Sequence, residues 1–378
     1  MEFIPEKKLG FGLMRLPHTD PNDAGTIDIE EAKKMVDIFM AKGFTYFDTA
    51  WMYCNFQSEN AVKEILTSRY PRESFTLTTK LHSGFFNSLE DRDKVFNAQK
   101  EKTGVDYFDY YLLHGIEDGS YEKYEKFDCF NWLLGKKKSG EVRHAGFSYH
   151  GSPELLDEIL TKHPEMEMVQ LQINYLDWDS PFIRAKECYE VCVKHGKKVI
   201  VMEPIKGGTL AEASEEEKEV FDSMDSSCSI ASWAVRFVAS LENVMVVLSG
   251  MSNVAQMEDN TSYMENFKPL KEEEKKNLFK VADMKRANTA IPCTGCSYCT
   301  DGCPKHIAIP KYFALYNGDM REAATKGWTI NGTYYNQIAE KAGKASECIK
   351  CGKCEHICPQ HLSIRKYLED VAAHFEQH

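Results

Sequence analysis

Asp28-Ile29-Glu30-Glu31-Ala32-Lys33-Lys34-Met35-Val36-Asp37-Ile38-Phe39-Met40-Ala41-Lys42-Gly43-Phe44-Thr45-Tyr46-Phe47-Asp48 reads as a helix that is stopped and handed over to a strand. Asp28 can accept from the free N–H groups of a first helical turn, and Glu31 three residues later completes a capping pair. Gly43 ends the helix, because glycine enters the left-handed conformation without a Cβ penalty. The β-branched and aromatic side chains at 45–48 then favour an extended backbone. Outward from this unit the same alternation recurs over roughly the first 265 residues. Strand candidates fall at 11–14, 45–48, 75–79, 110–113, 143–146, 168–172, 199–202 and 244–248, and each except the last is followed by a helical stretch. Ser152-Pro153-Glu154 opens one of these helices with a cap and a proline in the first turn. Eight such units predict an α/β fold, a closed (β/α)8 TIM barrel. A doubly wound open sheet would need about six strands and a Gly-x-Gly-x-x-Gly phosphate turn, which the chain lacks.

The charge and the cysteines narrow the classes further. A formal net charge of −12 over 378 residues argues against nucleic acid or an anionic membrane as partner. The N-terminus carries no apolar leader, and no uncharged run approaches the roughly 20 residues needed to cross a bilayer. A cytoplasmic protein that meets small molecules is the expectation. Thirteen cysteines in such a chain point to metal ligation rather than disulfides.

Eight of them form two copies of one spacing: Cys293-x2-Cys296-x2-Cys299-x3-Cys303-Pro304 and Cys348-x2-Cys351-x2-Cys354-x3-Cys358-Pro359. Three thiolates of a run can hold three irons of a cubane cluster, while the fourth ligates the cluster of the other run. The expectation is two [4Fe-4S] clusters, one on Cys293, Cys296, Cys299 and Cys358, the other on Cys348, Cys351, Cys354 and Cys303. A zinc knuckle would use two Cys-x2-Cys pairs and leave a third cysteine idle. The 44 residues between Cys303 and Cys348, with helical stretches at 309–316 and 334–342, predict a mainly helical dicluster iron-sulfur domain. The domain boundaries are then 1–267 for the barrel, 268–290 for a charged helical linker, and 291–378 for the cluster domain.

In a (β/α)8 barrel the chemistry sits at the C-terminal ends of the strands. Asp48 ends the second strand, Tyr53 follows in the next loop, Lys80 ends the third strand and His114 the fourth. These four types suit carbonyl reduction. A tyrosine can protonate a developing alkoxide, a neighbouring lysine is expected to lower its proton affinity, an aspartate holds the lysine, and a histidine orients the oxygen. Trp51, Cys54, His82, Phe85, Phe86, Tyr149 and Trp178 are candidates for an aromatic mouth.

In this order and strand position Asp48, Tyr53, Lys80 and His114 resemble the catalytic tetrad of the aldo-keto reductase family, over residues 8 to 265. The resemblance implies further contacts to a nicotinamide coenzyme, NADPH or NADH. Gly12, Met14 and Arg15 lie in the family's opening strand. Ser148 and Gln170 correspond to the pair that holds the carboxamide, with Tyr149 where asparagine is usual. Pro204, Lys206 and Gly208 lie in the loop over the pyrophosphate, and Gly250, Ser252, Gln256, Asp259 and Asn260 in the segment around the adenosine. Residues 249–260 contain no cation for a 2′-phosphate. A histidine rather than a glutamate at 114 implies carbonyl rather than enone reduction. The architecture as a whole is similar to the iron–sulfur aldo-keto reductase-like oxidoreductases of anaerobes. Hydride transfer moves two electrons together and clusters move them singly, so the clusters serve either electron transfer with a partner protein, with a flavin as a possible bridge, or the structure of the tail. The primary reading is an NAD(P)H-dependent oxidoreductase acting on an aldehyde or ketone. The alternatives are a redox-sensing or electron-carrier protein with a nucleotide-binding barrel, and a flavin- or cluster-coupled reductase of another bond.

Overall fold

A computed structural model describes residues 3–20, 23–180, 183–287, 289–321 and 330–376. Eight parallel strands close into a barrel in sequence order: β1 (Leu9–Gly12), β2 (Tyr46–Asp48), β3 (Thr76–His82), β4 (Phe108–Ile116), β5 (Val142–Tyr149), β6 (Met168–Gln172), β7 (Lys198–Met202) and β8 (Val244–Ser249). Closure is made by β1 against β8, with Leu9 opposite Val247 and Phe11 opposite Ser249. The stretch that opened the reading behaves as expected. Asp28 accepts from the Glu31 N–H at 3.0 Å, the helix Ile29–Ala41 buries Ala32, Met35, Val36 and Phe39, and Gly43 turns the chain at φ +79°.

Period-two alternation along the strands sorts their side chains into two cores. Tyr46, Tyr110, Leu112, Met168, Ile200, Met245, Val246 and Leu248 fill the barrel interior, and Phe3 plugs its lower end, where Tyr110 Oη donates to the Phe3 carbonyl at 2.6 Å. The outward residues pack under the helices in one continuous apolar layer.

The first strand is displaced from its expected place. It spans Leu9–Gly12 rather than 11–14, and Leu13–Arg15 form a single 3-10 turn. The cause is local competition for carbonyls. Ser58 Oγ donates to the Leu13 carbonyl at 2.9 Å, and Cys54 Sγ approaches the Leu13 and Met14 carbonyls at 3.6 Å each, which turns this segment toward the loop after β2. The charged helix Glu272–Ala287 is solvated on one side only. Leu278, Val281 and Ala282 join the barrel core, and Lys285 Nζ makes a buried ion pair with Glu217 at 2.8 Å.

The C-terminal region has its own small core, with Ile307, Tyr312, Phe313, Tyr335, Leu368 and Val371 among its members, packed between the helices Ile309–Arg321, Ile330–Ala339 and Ile364–Phe375. Its only bridge between described residues outside helices is Ile307 with Gly343. The sequence duplication is also a backbone duplication. Left-handed residues stand at Gly295 and Lys350, at Ser297 and Gly352, and at His306 and His361, the same offsets within the two cysteine runs. Each run opens a one-turn helix, Tyr298–Asp301 and Lys353–His356. Among the described residues no helix is long and apolar enough to cross a membrane.

Candidate active site and cluster cavity

The second, third and fourth strands bring Asp48, Lys80 and His114 to the same end of the barrel, and the loop after β2 adds Tyr53. Lys80 Nζ donates to Asp48 Oδ1 at 2.6 Å and to the Thr49 carbonyl at 2.8 Å, with both side chains buried. Taking two charges out of water costs several kcal/mol each, so the pair persists only because the geometry is close and the Thr49 carbonyl accepts a further hydrogen bond from the ammonium. Glu59 lies behind it, accepting from Thr79 Oγ1 at 2.7 Å and Gln99 Nε2 at 2.8 Å, and adds a second carboxyl to the field at Lys80. Lys80 Nζ stands 5.1 Å from the centre of the Tyr53 ring, and the Tyr53 and His114 rings meet edge-on at 6.0 Å.

The expected lowering of the Tyr53 proton affinity is reversed. Burial pushes the phenol well above its ordinary range, and the nearby Tyr298, Asp48, Glu203 and Cys54 push the same way. Lys80 does not outweigh this, because much of its charge is already matched by Asp48 in a direct ion pair. Burial and then the Lys80 charge hold His114 well below its usual value, so its ring is neutral. Its Nδ1 is buried without a partner, as is Asp48 Oδ2. His82, against His114 at 5.4 Å, is lowered to about 4 by burial and by Lys123.

Tyr53 is followed by three non-glycine residues in the left-handed region, Cys54 (φ 51°), Asn55 (φ 49°) and Phe56 (φ 66°). Such residues cost of order 1–3 kcal/mol each and persist where the surroundings hold them. Here Cys54 is anchored to the carbonyls after β1, and Phe56 packs edge-on to Trp51 at 6.4 Å and Phe85 at 5.7 Å. Trp51, His82 and Phe85 therefore form an aromatic wall beside Tyr53. The other mouth candidates go elsewhere. Phe86 packs on Tyr124 and Phe127, Tyr149 donates to the Ser152 carbonyl at 2.6 Å, and Trp178 packs on Tyr189 and Phe237.

The residues expected at a coenzyme divide in the same way. Ser148 and Gln170 are register partners across β5 and β6. Ser148 Oγ accepts from the Gly115 N–H at 2.7 Å, and Gln170 Oε1 is buried without a partner. Gly12 stands opposite Asp48. Arg15, after Met14, packs against Gly250 and leaves Nη2 buried and unpartnered. Ser252 Oγ donates to the Arg15 carbonyl at 2.8 Å. Gln256 accepts from the Ser252 N–H at 2.8 Å, Asn260 donates to the Gln256 carbonyl at 2.8 Å, and Asp259 accepts from Ser229 Oγ at 2.7 Å, so this segment is engaged in its own helix and its neighbours. After β7, Pro204 is buried and Gly208 stands at φ +109°. Lys206 is buried too, its Nζ 2.7 and 2.8 Å from the two oxygens of Asp177 and 3.1 Å from Gln360 Oε1 of the cluster domain.

Within that domain Cys293, Cys296, Cys299 and Cys358 line one pocket, which is the fourfold set expected for the first cluster. Burial raises Cys293 to about 11, and the Gly295 N–H lies 3.4 Å from its sulfur. The second set is more open: Cys354 is buried, Cys303 and Cys348 half-buried, and Cys351 exposed.

Asp177, Glu203, Tyr298 and Gln360 were not singled out by the sequence reading. Tyr298 and Gln360 sit inside or beside cysteine runs whose ligands draw the attention, and Glu203 precedes a proline in a loop read for its backbone. Their common signal is position next to another motif, which carries meaning only once the two domains are docked.

The profile of the Aldo/keto reductase family matches residues 8–283, and that of a 4Fe-4S dicluster domain matches residues 292–363. An aldo-keto reductase of Mycolicibacterium smegmatis is 27% identical over 187 residues, 48% of this chain and 62% of that protein, so the chain spans less than two thirds of that relative. The uncharacterized oxidoreductase YqkF of Bacillus subtilis is 25% identical over 303 residues, 72% of this chain and 91% of that one. An aldo/keto reductase of Klebsiella pneumoniae, solved in complex with NADP and acetate, superposes with a TM-score of 0.59 at 15% identity over 75% of this chain and 96% of that chain, a likeness of fold. By the match across its barrel, the chain belongs to the aldo/keto reductase family and carries a 4Fe-4S dicluster domain after it.

Proposed function

We propose that the protein is an NAD(P)H-dependent oxidoreductase that reduces an aldehyde or ketone, with Tyr53 as the general acid. The observation that carries this reading is the buried Lys80–Asp48 pair set under the edge-on Tyr53 and His114 rings. A nicotinamide coenzyme supplies hydride to the carbonyl carbon when bound. The residues fit its carboxamide, since Gln170 Oε1 is a buried acceptor with no partner and Ser148 lies beside it in register.

The rest follows from this chain's own groups. Neutral His114 orients the substrate oxygen without competing as an acid. Tyr53, held protonated by burial, keeps its hydrogen at neutral pH and gives it up when an alkoxide, a stronger base than a phenolate, develops beside it. Lys80, 5.1 Å from the ring centre, then stabilises the phenolate left behind. The wall of Trp51, His82 and Phe85 excludes water on one side.

The eight cysteines are assigned to two [4Fe-4S] clusters in the sets expected from their spacing, and the cavity shared by Cys293, Cys296, Cys299 and Cys358 supports the first. Clusters so held can pass single electrons or staple the fold. The substrate is a small carbonyl compound. Replacing Tyr53 by Phe tests the assignment: kcat/KM for carbonyl reduction is expected to fall by about 10²–10⁴-fold with iron content and coenzyme Kd unchanged. Wild-type turnover in the variant would remove Tyr53 from the mechanism.

A further inference from the structure

The cluster domain meets the barrel at its catalytic end. Gln360 pairs with Gln172 at the end of β6 and with Lys206 after β7, each at 3.1 Å, and His361 Nε2 lies 3.3 Å from the carbonyl of His150, just past β5. The first cysteine run shares in this contact. Thr294, the residue after Cys293, is buried, and Gly207, at φ +65°, is pressed so closely against it that a Cβ would lie 2.1 Å from the Thr294 carbonyl oxygen.

The second run has the same backbone turns and opposite surroundings. Left-handed residues coincide at Gly295 and Lys350 and at Ser297 and Gly352, so residues at equal offsets hold equivalent places around their cysteines. In the first run Thr294 is buried and Cys296 and Tyr298 are half-buried, whereas their counterparts Ile349, Cys351 and Lys353 are all exposed. Ile349 is 57% exposed, the highest value for a large hydrophobic side chain among the described residues. Leaving it in water forgoes about 1–2 kcal/mol of burial.

Charge follows the same division. No lysine or arginine stands between Cys293 and Cys303, but Lys350 and Lys353 stand between Cys348 and Cys358. Arg365 joins them, its guanidinium carbon 3.9 Å from where a Cβ of Gly352 would lie and its Nη1 3.5 Å from the Lys350 carbonyl. The side chains of Lys350 and Arg365 are 64% and 46% exposed, and their ion pairs, with Glu369 at 2.6 Å and Glu355 at 2.7 Å, are surface pairs worth at most about 1 kcal/mol, which a partner can replace. In a chain of net charge −12, residues 341–370 carry six lysines and arginines against four acidic residues.

We propose that the loop 348–353 is the docking face for an acidic one-electron carrier protein, with Ile349 as its apolar centre and Lys350, Lys353 and Arg365 as the cations around it. This rests on the assignment of Cys303, Cys348, Cys351 and Cys354 to a [4Fe-4S] cluster and is independent of the carbonyl reaction. Exposed Cys351 brings this set of ligands to the surface, while the barrel covers the equivalent face of the first run. The exchange is of one electron, lost by the reduced centre of the carrier and accepted at this set, with no proton moved and no bond made or broken. A small apolar contact within a ring of one charge sign suits the brief encounters of electron transfer, and it selects a partner of the opposite sign. A second copy of this chain would set its own lysines against these.

The test is calorimetric titration of an acidic two-cluster ferredoxin into the anaerobically purified holo-protein, with iron measured on the same sample. A Kd of about 1–100 μM is expected at about 20 mM salt, weakening about tenfold at about 200 mM. Lys353→Glu is expected to weaken binding about tenfold and Ile349→Ser about fivefold, with iron content and coenzyme Kd unchanged. Carbodiimide cross-linking of the wild-type complex, mapped by mass spectrometry, is expected to join carboxylates of the carrier to Lys350 and Lys353, and decides the matter if a variant loses iron. Binding insensitive to salt, or cross-links confined to lysines of the barrel, would overturn the proposal. So would a dimer in sedimentation that Ile349→Ser abolishes, since a second copy would then own the face. A preparation without iron would remove the cluster assignment and this proposal together, whereas full iron with no binding removes this proposal alone.

Discussion

The barrel and the cluster domain solve the same problem, holding polar groups in fixed places, by different means. The barrel buries Asp48, Lys80 and Glu59 under a closed ring of strands and a continuous apolar core, so its site is held by packing and internal hydrogen bonds. The cluster domain surrounds eight cysteines with a small core and short helical turns, and its cysteine loops take left-handed turns at six positions, four of them non-glycine. A core of that size gives little stability by itself, so the metal is expected to supply much of it. The comparison teaches that the barrel side of the mouth is pre-formed, whereas the side that Gln360 and His361 cover depends on the clusters.

The sharpest way to break this contrast is to remove the clusters. Chelation after oxidation is expected to abolish the cooperative thermal transition of the C-terminal domain while the barrel keeps its own, two separate melts by circular dichroism. A single unchanged melt would erase the distinction. Next in size, Lys80→Met strands the Asp48 carboxylate in the interior and is expected to cost about 3–5 kcal/mol of barrel stability by urea unfolding, with the cluster absorbance unaltered. At the junction, Gly207→Ala forces a Cβ into the Thr294 carbonyl at a positive φ and is expected to cost about 1–3 kcal/mol, seen as increased proteolytic release of the tail.

The smallest effect concerns pH. Burial, aided by Lys123, lowers His82 to about 4, and burial, aided by His361 and His82, does the same for His150. The unfolded chain binds these protons near pH 6.5 and the folded chain does not until about pH 4. Stability from each is therefore complete above pH 6.5 and declines as the pH falls toward 4, by about 1–2 kcal/mol per histidine at pH 5. His82→Gln is expected to flatten its share of the slope in melting temperature between pH 7 and 5.

Much of the barrel was legible because its periodicity is local: caps, glycine stops and β-branched runs each act within a few residues. Lys80 and His114 were readable for the same reason, although β3 and β4 run two residues past them to His82 and Ile116. The first strand was misplaced because Cys54 and Ser58, more than forty residues away, capture its last carbonyls. Phe86, Tyr149 and Trp178 were read as mouth residues from their loops and instead anchor the outer layer. The reversed shift of Tyr53 has the same origin, since sequence shows which cation is near but not how buried the phenol is or that Asp48 already holds Lys80. Gln360, paired with Gln172 and Lys206, belongs to a junction between domains, which no local pattern encodes.

The most direct test of the central claim is to follow the hydrogen on the product carbon. Anaerobic holo-protein would be given NADPH deuterated at both C4 positions with a ketone it turns over, and the alcohol examined by mass spectrometry and NMR. Hydride chemistry in the barrel predicts one deuterium on the carbinol carbon in ordinary water, and none on that carbon when unlabelled coenzyme is used in D2O. Label arriving at that carbon from the solvent would contradict it and place the electrons on a route through the clusters.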